Sequence, residues 1–546
     1  MKNKPVVTLM AFSALFFAML QPPEAFPNGK LAVLLCATFT FLIALSERKI
    51  PQSFLRAGSW IFGLLFLHTF SVSVDLYRSL DTLASIWTYY CLIGFFVYSS
   101  EGLETQLAGA VVLLSAVVSG YGLYQYFWGF DKVYSYIFYA GSDQVVKAPA
   151  LNIIATRRVF STLALPGTLW GFLVCALPFH AMLWKRGWKT RAAVVVSGAM
   201  LLTAGFLTRS FGFLLGLFIL ALVYGWIRHR NFLWKRVLPV MIGLAAVALL
   251  FYAGRRGMIQ SQNPVGLRFL NWASAWNIFA ERPLGTGLNT FGVVYPEYMM
   301  PGANETQYVH NTPLQLLSEL GWPLVLALSV ALLWGANSIR RFFHAGLDDR
   351  RFWLLLALAV WMAHNMVDID LYFPSVGVLG AVLIGSFFSR RPQEFPRISR
   401  LSIAGTSLVA LAFVAFAGVS CVASELQARA QIEFENKKLA TAIETLDIAR
   451  YICPINSSIQ HDAGEILLNL YHQTKKPEYL TRATTAFETA IRLSPEKSGS
   501  RVGYALSLST ANRMTEAREQ IRIAQTLYPS SAYVQSIAQL MGQRIQ

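Results

Sequence analysis

Leu401–Val422 reads LSIAGTSLVALAFVAFAGVSCV, without one Asp, Glu, Lys or Arg. At about 1.5 Å per residue, a helix of this length crosses the roughly 30 Å hydrocarbon core of a bilayer. The next residues, Ala423-Ser424-Glu425-Leu426-Gln427-Ala428-Arg429, bring charge back at once. The chain therefore changes solvent here, and the sequence divides into a membrane part, 1–422, and a soluble tail, 423–546.

Upstream of this stretch the same composition recurs. The chain of 546 residues is 55% hydrophobic and 14% charged, which is too apolar for an ordinary soluble enzyme. Thirteen spans are expected: 5–21, 31–46, 58–73, 82–98, 106–128, 161–184, 192–208, 210–227, 237–253, 314–337, 352–366, 374–389 and 401–422. With a cytoplasmic N-terminus, alternate loops collect Lys and Arg, among them Lys185, Arg186, Lys189, Arg191, Arg228, Arg230, Arg340, Arg341, Arg390 and Arg391. The short loops on the other side hold only Lys30, Arg78 and Arg209. That bias predicts an N-in, C-out topology. It also accounts for the net charge of +17 without a nucleic-acid footprint. Residues 5–21 lack a small-residue cleavage site and read as the first anchor. The five cysteines show neither metal-ligand spacing nor an evident disulfide pair.

Downstream, the tail repeats itself. Ala442, Leu446, Ala449 and Pro454 share their spacing with Ala483, Phe487, Ala490, Pro495 and with Ala517, Ile521, Ala524, Pro529. This is the second-helix pattern of tetratricopeptide repeats, in which small Ala lets helices approach and Pro ends the unit. An α-solenoid is expected, serving either as a partner surface or as a prop for the external face.

One large external loop, 254–311, interrupts the spans. Within it Leu267–Ala280 predicts a short surface helix bearing Trp272, Trp276 and Phe279, followed by the turn Arg282-Pro283-Leu284-Gly285-Thr286-Gly287. A second external segment, 129–160, carries Lys132, Lys147, Arg157 and Arg158 and reads as a lid or a linker. The large loop ends in Val309-His310-Asn311-Thr312-Pro313-Leu314-Gln315. Here Thr312 reads as an N-cap, Pro313 as the first helical residue and Gln315 as the partner in a capping box. His310 would then face the positive end of a helix macrodipole, which opposes a positive charge on the ring and suits a base.

Ionisable residues are costly in hydrocarbon, so their positions carry information. Arg209, Arg255, Arg256, Arg268, Arg282, His310, Glu319, His364, Asp368 and Asp370 all map to the external side. Arg209 is either a headgroup snorkeller or an anion ligand. His364 and Asp368, four apart at a helix end, are placed to face each other. Glu319 falls near the outer end of its helix, as a second acid or as a helix-stabilising group. A basic, His-containing cavity of this kind suits a phosphorylated, lipid-attached substrate.

Together these residues resemble the O-antigen ligase and O-antigen polymerase family of bacterial multispan glycosyltransferases. The resemblance covers roughly 190–380. It rests on His310-Asn311 followed by nine residues and Gly321, on Arg268-(x)3-Trp272, on Pro283-Leu284-Gly285-Thr286-Gly287 with Phe291, on Thr208-Arg209-Ser210, and on His364-(x)3-Asp368. Leu324 departs from the ligase pattern and leaves polymerase open. The resemblance implies an all-α, GT-C-like bundle in the bacterial inner membrane, with the C-terminal repeats periplasmic. It implies transfer of a glycan from undecaprenyl diphosphate to an acceptor hydroxyl, as in lipopolysaccharide biosynthesis, with inversion and with no metal or cofactor. His310 is then the base, Arg209 and Arg268 are diphosphate ligands, and Arg255 and Arg256 are weaker candidates. Asn311, Glu319, His364 and Asp368 are expected to support them. The acceptor is left as a glycan, a lipid or a protein, so exopolysaccharide polymerase and protein O-oligosaccharyltransferase stand as alternatives within the family. A polysaccharide transporter or scaffold is the alternative outside it. Membrane lipids and a protein held by the repeats are the other expected partners.

Overall fold

The computed structural model describes residues 4–22, 26–99, 102–132, 153–163, 165–184, 186–210, 212–228, 264–344, 348–390, 394–396 and 398–543. Among them every regular element is a helix. Eight are long and apolar enough to cross a membrane: Pro27–Ser46, Gln52–Val72, Leu76–Tyr98, Glu104–Lys132, Pro166–Leu183, Trp188–Leu207, Thr312–Val330 and Arg400–Glu435. Each overlaps an expected span. Four other expected spans are helices too short for that criterion, Lys4–Leu20, Gly212–Arg228, Asp349–His364 and Pro374–Phe387. The span expected at 237–253 lies outside the described residues.

Proline opens several of these helices, at Pro27, Pro166 and Pro374, where its missing N–H costs nothing. Aromatic packing joins the helices Pro27–Ser46, Gln52–Val72, Leu76–Ser99 and Arg400–Glu435. The Trp87 ring lies 5.4 Å from Phe62, 5.6 Å from Phe413 and 6.4 Å from Phe41. The outward face of the same helices is also apolar: Trp60 is 75% exposed and Leu408 68%. An apolar core under an apolar surface is the arrangement that lipid, not water, stabilises.

The helix Arg400–Glu435 has 36 residues, so at 1.5 Å each it is about 54 Å long. It exceeds the roughly 30 Å hydrocarbon core, and its second half packs against Leu439–Ile452 in the tail. The tail continues as Ser457–Thr474, Pro477–Leu493, Ser498–Thr510, Met514–Leu527 and Ala532–Gln543, each packed on the next. Ala442, Leu446, Ala449, Ala483, Phe487, Ala490, Ala517, Ile521 and Ala524 are all buried between these helices. The helices end at Ile452, Leu493 and Leu527, just before Pro454, Pro495 and Pro529.

The tail is bonded to one end of the bundle. Ser457 donates to Asp75 at 2.9 Å. Arg282 reaches Glu496 at 2.6 Å and Glu297 at 3.0 Å, and Tyr528 donates to Glu305.

Candidate functional site

At this tail-bearing end the helix Thr312–His344 is broken at Gly321, where φ is +60° and ψ −151°. That backbone region is open only to glycine without strain. A Cβ here would also collide with the main chain of Pro283–Gly285. The break is therefore a docking point for the preceding turn. Thr286 and Gly287 donate their N–H groups to the Glu319 carbonyl at 3.1 and 3.0 Å, and Trp322 N–H donates to the Pro283 carbonyl at 2.8 Å.

Glu319 itself is fully buried, and its carboxylate is held by four donors. Asn289 N–H lies at 2.7 Å, Phe291 N–H at 3.2 Å, Gln315 Nε2 at 2.8 Å and the Tyr372 hydroxyl at 2.5 Å. It ties the turn to the broken helix and to the loop after Asp349–His364.

His310 is set by the start of the same helix, though not in the way the spacing suggested. The cap is Asn311, whose Oδ1 accepts from Leu314 N–H at 3.0 Å. Thr312 is instead used across the fold, its N–H donating to the Asn365 carbonyl at 2.8 Å and its hydroxyl to Asn365 Oδ1 at 2.7 Å. Gln315 reaches back to Val309 N–H at 2.8 Å, so the expected box on Thr312 does not form. Asn311 Nδ2 donates to the Met366 carbonyl at 2.8 Å. Held between these anchors, His310 takes φ +55°, a left-handed conformation that costs a non-glycine residue about 1–3 kcal/mol.

The pairing of histidines and carboxylates also differs from the sequence expectation. The helix ends at His364, so Asp368 leaves its face. Asp368 Oδ1 lies 3.2 Å from His310 Nδ1, while His364 Nδ1 lies 2.7 Å from Asp370 Oδ2. Two His–Asp pairs result: one lining a cleft, the other about 1% exposed behind it. Burial opposes ionisation of Asp368, but the hydrogen bond and charge of His310 and the charge of Arg268 outweigh it. They hold this carboxyl well below the usual carboxylate range.

The cleft has a volume of about 180 Å³. His310, Asp368, Arg268, Arg158 and Ser210 contribute to its walls. Arg268 comes from the helix Pro264–Glu281, which covers the expected 267–280 element, and sits 3.9 Å from Asp368 Oδ2. Arg158 is a cation that sequence reasoning left in a lid or linker. Val159 N–H donates to the Leu207 carbonyl at 3.1 Å and Arg158 Nε to the Thr208 carbonyl at 3.1 Å, which docks this segment on the turn after Trp188–Leu207. Arg209 occupies that turn with φ +47°, half-buried and next to Ser210. Arg255 and Arg256 lie outside the described residues. Among the described residues, no three His, Cys, Asp or Glu gather in a metal-holding group.

With Nδ1 of His310 donating to an ionised Asp368, Nε2 is left as the basic nitrogen, and two guanidinium groups line the same cleft. Such a set can take a proton and neutralise an anion side by side. The fold and cleft define a multispan α-helical membrane protein with an imidazole–carboxylate–guanidinium centre at one end of its bundle. Residues 193–329, which hold Arg209, Arg268, His310 and Glu319, match the family model described as O-Antigen ligase. The match supports an O-antigen ligase or polymerase type of function, which is glycosyltransferase chemistry with lipid-linked glycan and acceptor as partners. No curated protein matches the chain.

Proposed function

We propose that this protein transfers a glycan from undecaprenyl diphosphate to an acceptor hydroxyl at the outer face of the bacterial inner membrane, with inversion and without a metal. The observation that carries this reading is the convergence of His310, Asp368, Arg268 and Arg158 on one cleft. Nε2 of His310 takes the proton of the acceptor hydroxyl as its oxygen bonds to the anomeric carbon. The bond from that carbon to the diphosphate oxygen breaks, and the electron pair leaves with the diphosphate. Arg268 and Arg158, which line the cleft, meet the negative charge that develops there, and Arg209, on the turn beside Ser210, is the further candidate for that role. Asp368 orients the imidazole and stabilises the imidazolium that forms. Asn311 fixes the backbone at the base, and Glu319 and the His364–Asp370 pair hold the segments around it.

The Lys and Arg bias supports an N-in orientation with the tail in the periplasm. The buried Ala, Leu, Phe and Ile positions of the tail support tetratricopeptide-type helix pairs. Purified, reconstituted protein with a polyprenyl-diphosphate glycan tests the proposal. His310→Ala should abolish transfer while donor binding persists, and retained transfer would remove the base assignment.

A further inference from the structure

The helices of the tail are joined by short turns and each packs on the next, so successive helices run antiparallel and the turns fall on two edges. Ser457, Glu496 and Tyr528 belong to one edge, and all three bond the bundle or its loop, at Asp75, Arg282 and Glu305. This is the edge nearest the membrane. The first turn on it reads Tyr451-Ile452-Cys453-Pro454-Ile455, without a charge. At the same spacing around Pro495 the second unit carries Arg492 and Glu496, and around Pro529 the third carries Thr526 and Ser530. Of the three turns, the one next to the spanning helix is apolar at both flanks.

Cys453 of this turn is buried, whereas Tyr451 is 89% exposed and Ile448, about one turn earlier, 53% exposed. Glu444 continues the same exposed face away from the membrane. The neighbouring Arg450 donates to Gln460 and Asp447, within the tail. An exposed tyrosine alone would call for no explanation. Its height supplies one.

The Tyr77 hydroxyl lies 2.5 Å from that of Ser420, and Asn28 Nδ2 donates to Glu425 at 3.1 Å, so residues 420–425 mark the rim of the bundle. Ser420 is also twenty residues past Arg400, about 30 Å along the helix, or one hydrocarbon core from its charged start. From the turn at 436–438, Tyr451 lies twelve residues beyond Leu439, and twelve residues back from Glu435 is Ala423. Antiparallel pairing thus sets Tyr451 level with Ala423, about 4.5 Å above Ser420. The headgroup layer on each side of the core is roughly 5–7 Å thick, and amphipathic rings settle there with the hydroxyl outermost. The exposed apolar line of the spanning helix, Leu408, Leu411, Val419 and Val422, runs up to the same level. In height, the lipid-facing surface of the bundle is continuous with the foot of the tail.

We infer that the foot of the helix Leu439–Ile452 is a membrane contact of its own: Tyr451 and Ile448 enter the headgroup layer of the bilayer that the bundle spans. The partner is a phospholipid surface, held through a ring and methyl groups with no basic side chain required. This contact sets the height of the first tail pair separately from the Arg282–Glu496 bridge, and it is independent of the chemistry at His310.

Photocrosslinking of the full-length protein in nanodiscs of phosphatidylethanolamine and phosphatidylglycerol tests it. p-Benzoylphenylalanine replaces Tyr451 in one protein and Glu444 in another, the latter two turns or about 10 Å higher on the same exposed face. Mass spectrometry counts the covalent lipid adducts, which should be about tenfold or more abundant at 451 than at 444. Equal yields at the two positions, no lipid adduct at 451, or an adduct there to a second copy of the chain in place of lipid would each overturn the inference. A second measurement uses Tyr451→Ser combined with Ile448→Ser, which removes the contact without disturbing a buried side chain. Hydrogen exchange of the amides at 452–456 should rise about fivefold or more in nanodiscs, with exchange in Pro477–Leu493 unchanged. Exchange at 452–456 equal to that of wild type would also overturn it.

Discussion

Asp368→Asn isolates the charge behind His310 while keeping the shape of the side chain. Its Oδ1 lies 3.2 Å from His310 Nδ1 and also accepts from Ile369 N–H at 3.1 Å, a bond that an amide oxygen preserves. The substitution therefore removes mainly the attraction between a carboxylate and the imidazolium that forms during proton transfer. At 3.2 Å and an effective dielectric near 20, that attraction is about 5 kcal/mol. The His310 side chain is 30% exposed, and solvent screening reduces the figure to about 2–4 kcal/mol. Asp368→Asn should then lower kcat by about 30–1,000-fold. The donor KM should stay within about threefold, because Arg268 and Arg158 remain in place. Single-turnover transfer from a polyprenyl-diphosphate glycan, against a donor-binding control, measures both. A kcat within about threefold of wild type would refute the claim that Asp368 stabilises charge on His310.

The same carboxylate has a signature in stability. Its folded-state pKa lies below the unfolded value of about 3.9, so its contribution is present above that value and lost as pH falls through the lower folded value. The Tm advantage of wild type over Asp368→Asn should shrink as pH falls below about pH 4. Gly321→Ala should cost about 1–3 kcal/mol for the positive-φ, extended-ψ backbone alone, plus the collision with Pro283–Gly285. It will be read as a lower Tm together with reduced transfer. Arg158→Ala should raise the donor KM about tenfold or more, with Arg158→Lys recovering only part, since a point charge replaces a planar fork. A double-mutant cycle with Arg282→Met and Glu496→Gln should give a coupling of about 0.5–2 kcal/mol in thermal unfolding. Zero coupling would mean that this contact does not fasten the tail to the loop.

Much of the helical layout was legible because burial in lipid or between tail helices writes itself as composition and period. The uncharged run at 401–422 and the Ala, Phe and Leu offsets of the tail are local signals, and the corresponding helices and buried side chains are present. The site was only half legible. His310, Arg268 and Asp368 stood out as polar groups in an apolar chain, but their pairing depended on where one helix ends. The i, i+4 rule presumes that the helix continues, and it stops at His364, which hands Asp368 to His310 and Asp370 to His364. The N-cap moved by one residue for a related reason, since Thr312 makes its bonds to Asn365 across the fold. Arg158 had no local signal, because its place depends on the docking of Val159 against Leu207, about fifty positions later.

The unbroken helix Arg400–Glu435 makes the orientation of the tail a matter of counting. Each residue added between the membrane and the first tail pair would rotate everything beyond it by about 100° and lift it by about 1.5 Å. One added residue would swing Ser457, Glu496 and Tyr528 away from Asp75, Arg282 and Glu305, whereas about seven, close to two turns, would nearly restore their bearing but raise them by about 10 Å. The length of this helix is therefore a phase setting: angle and height must both be correct for the tail to close on the loop that carries Arg268.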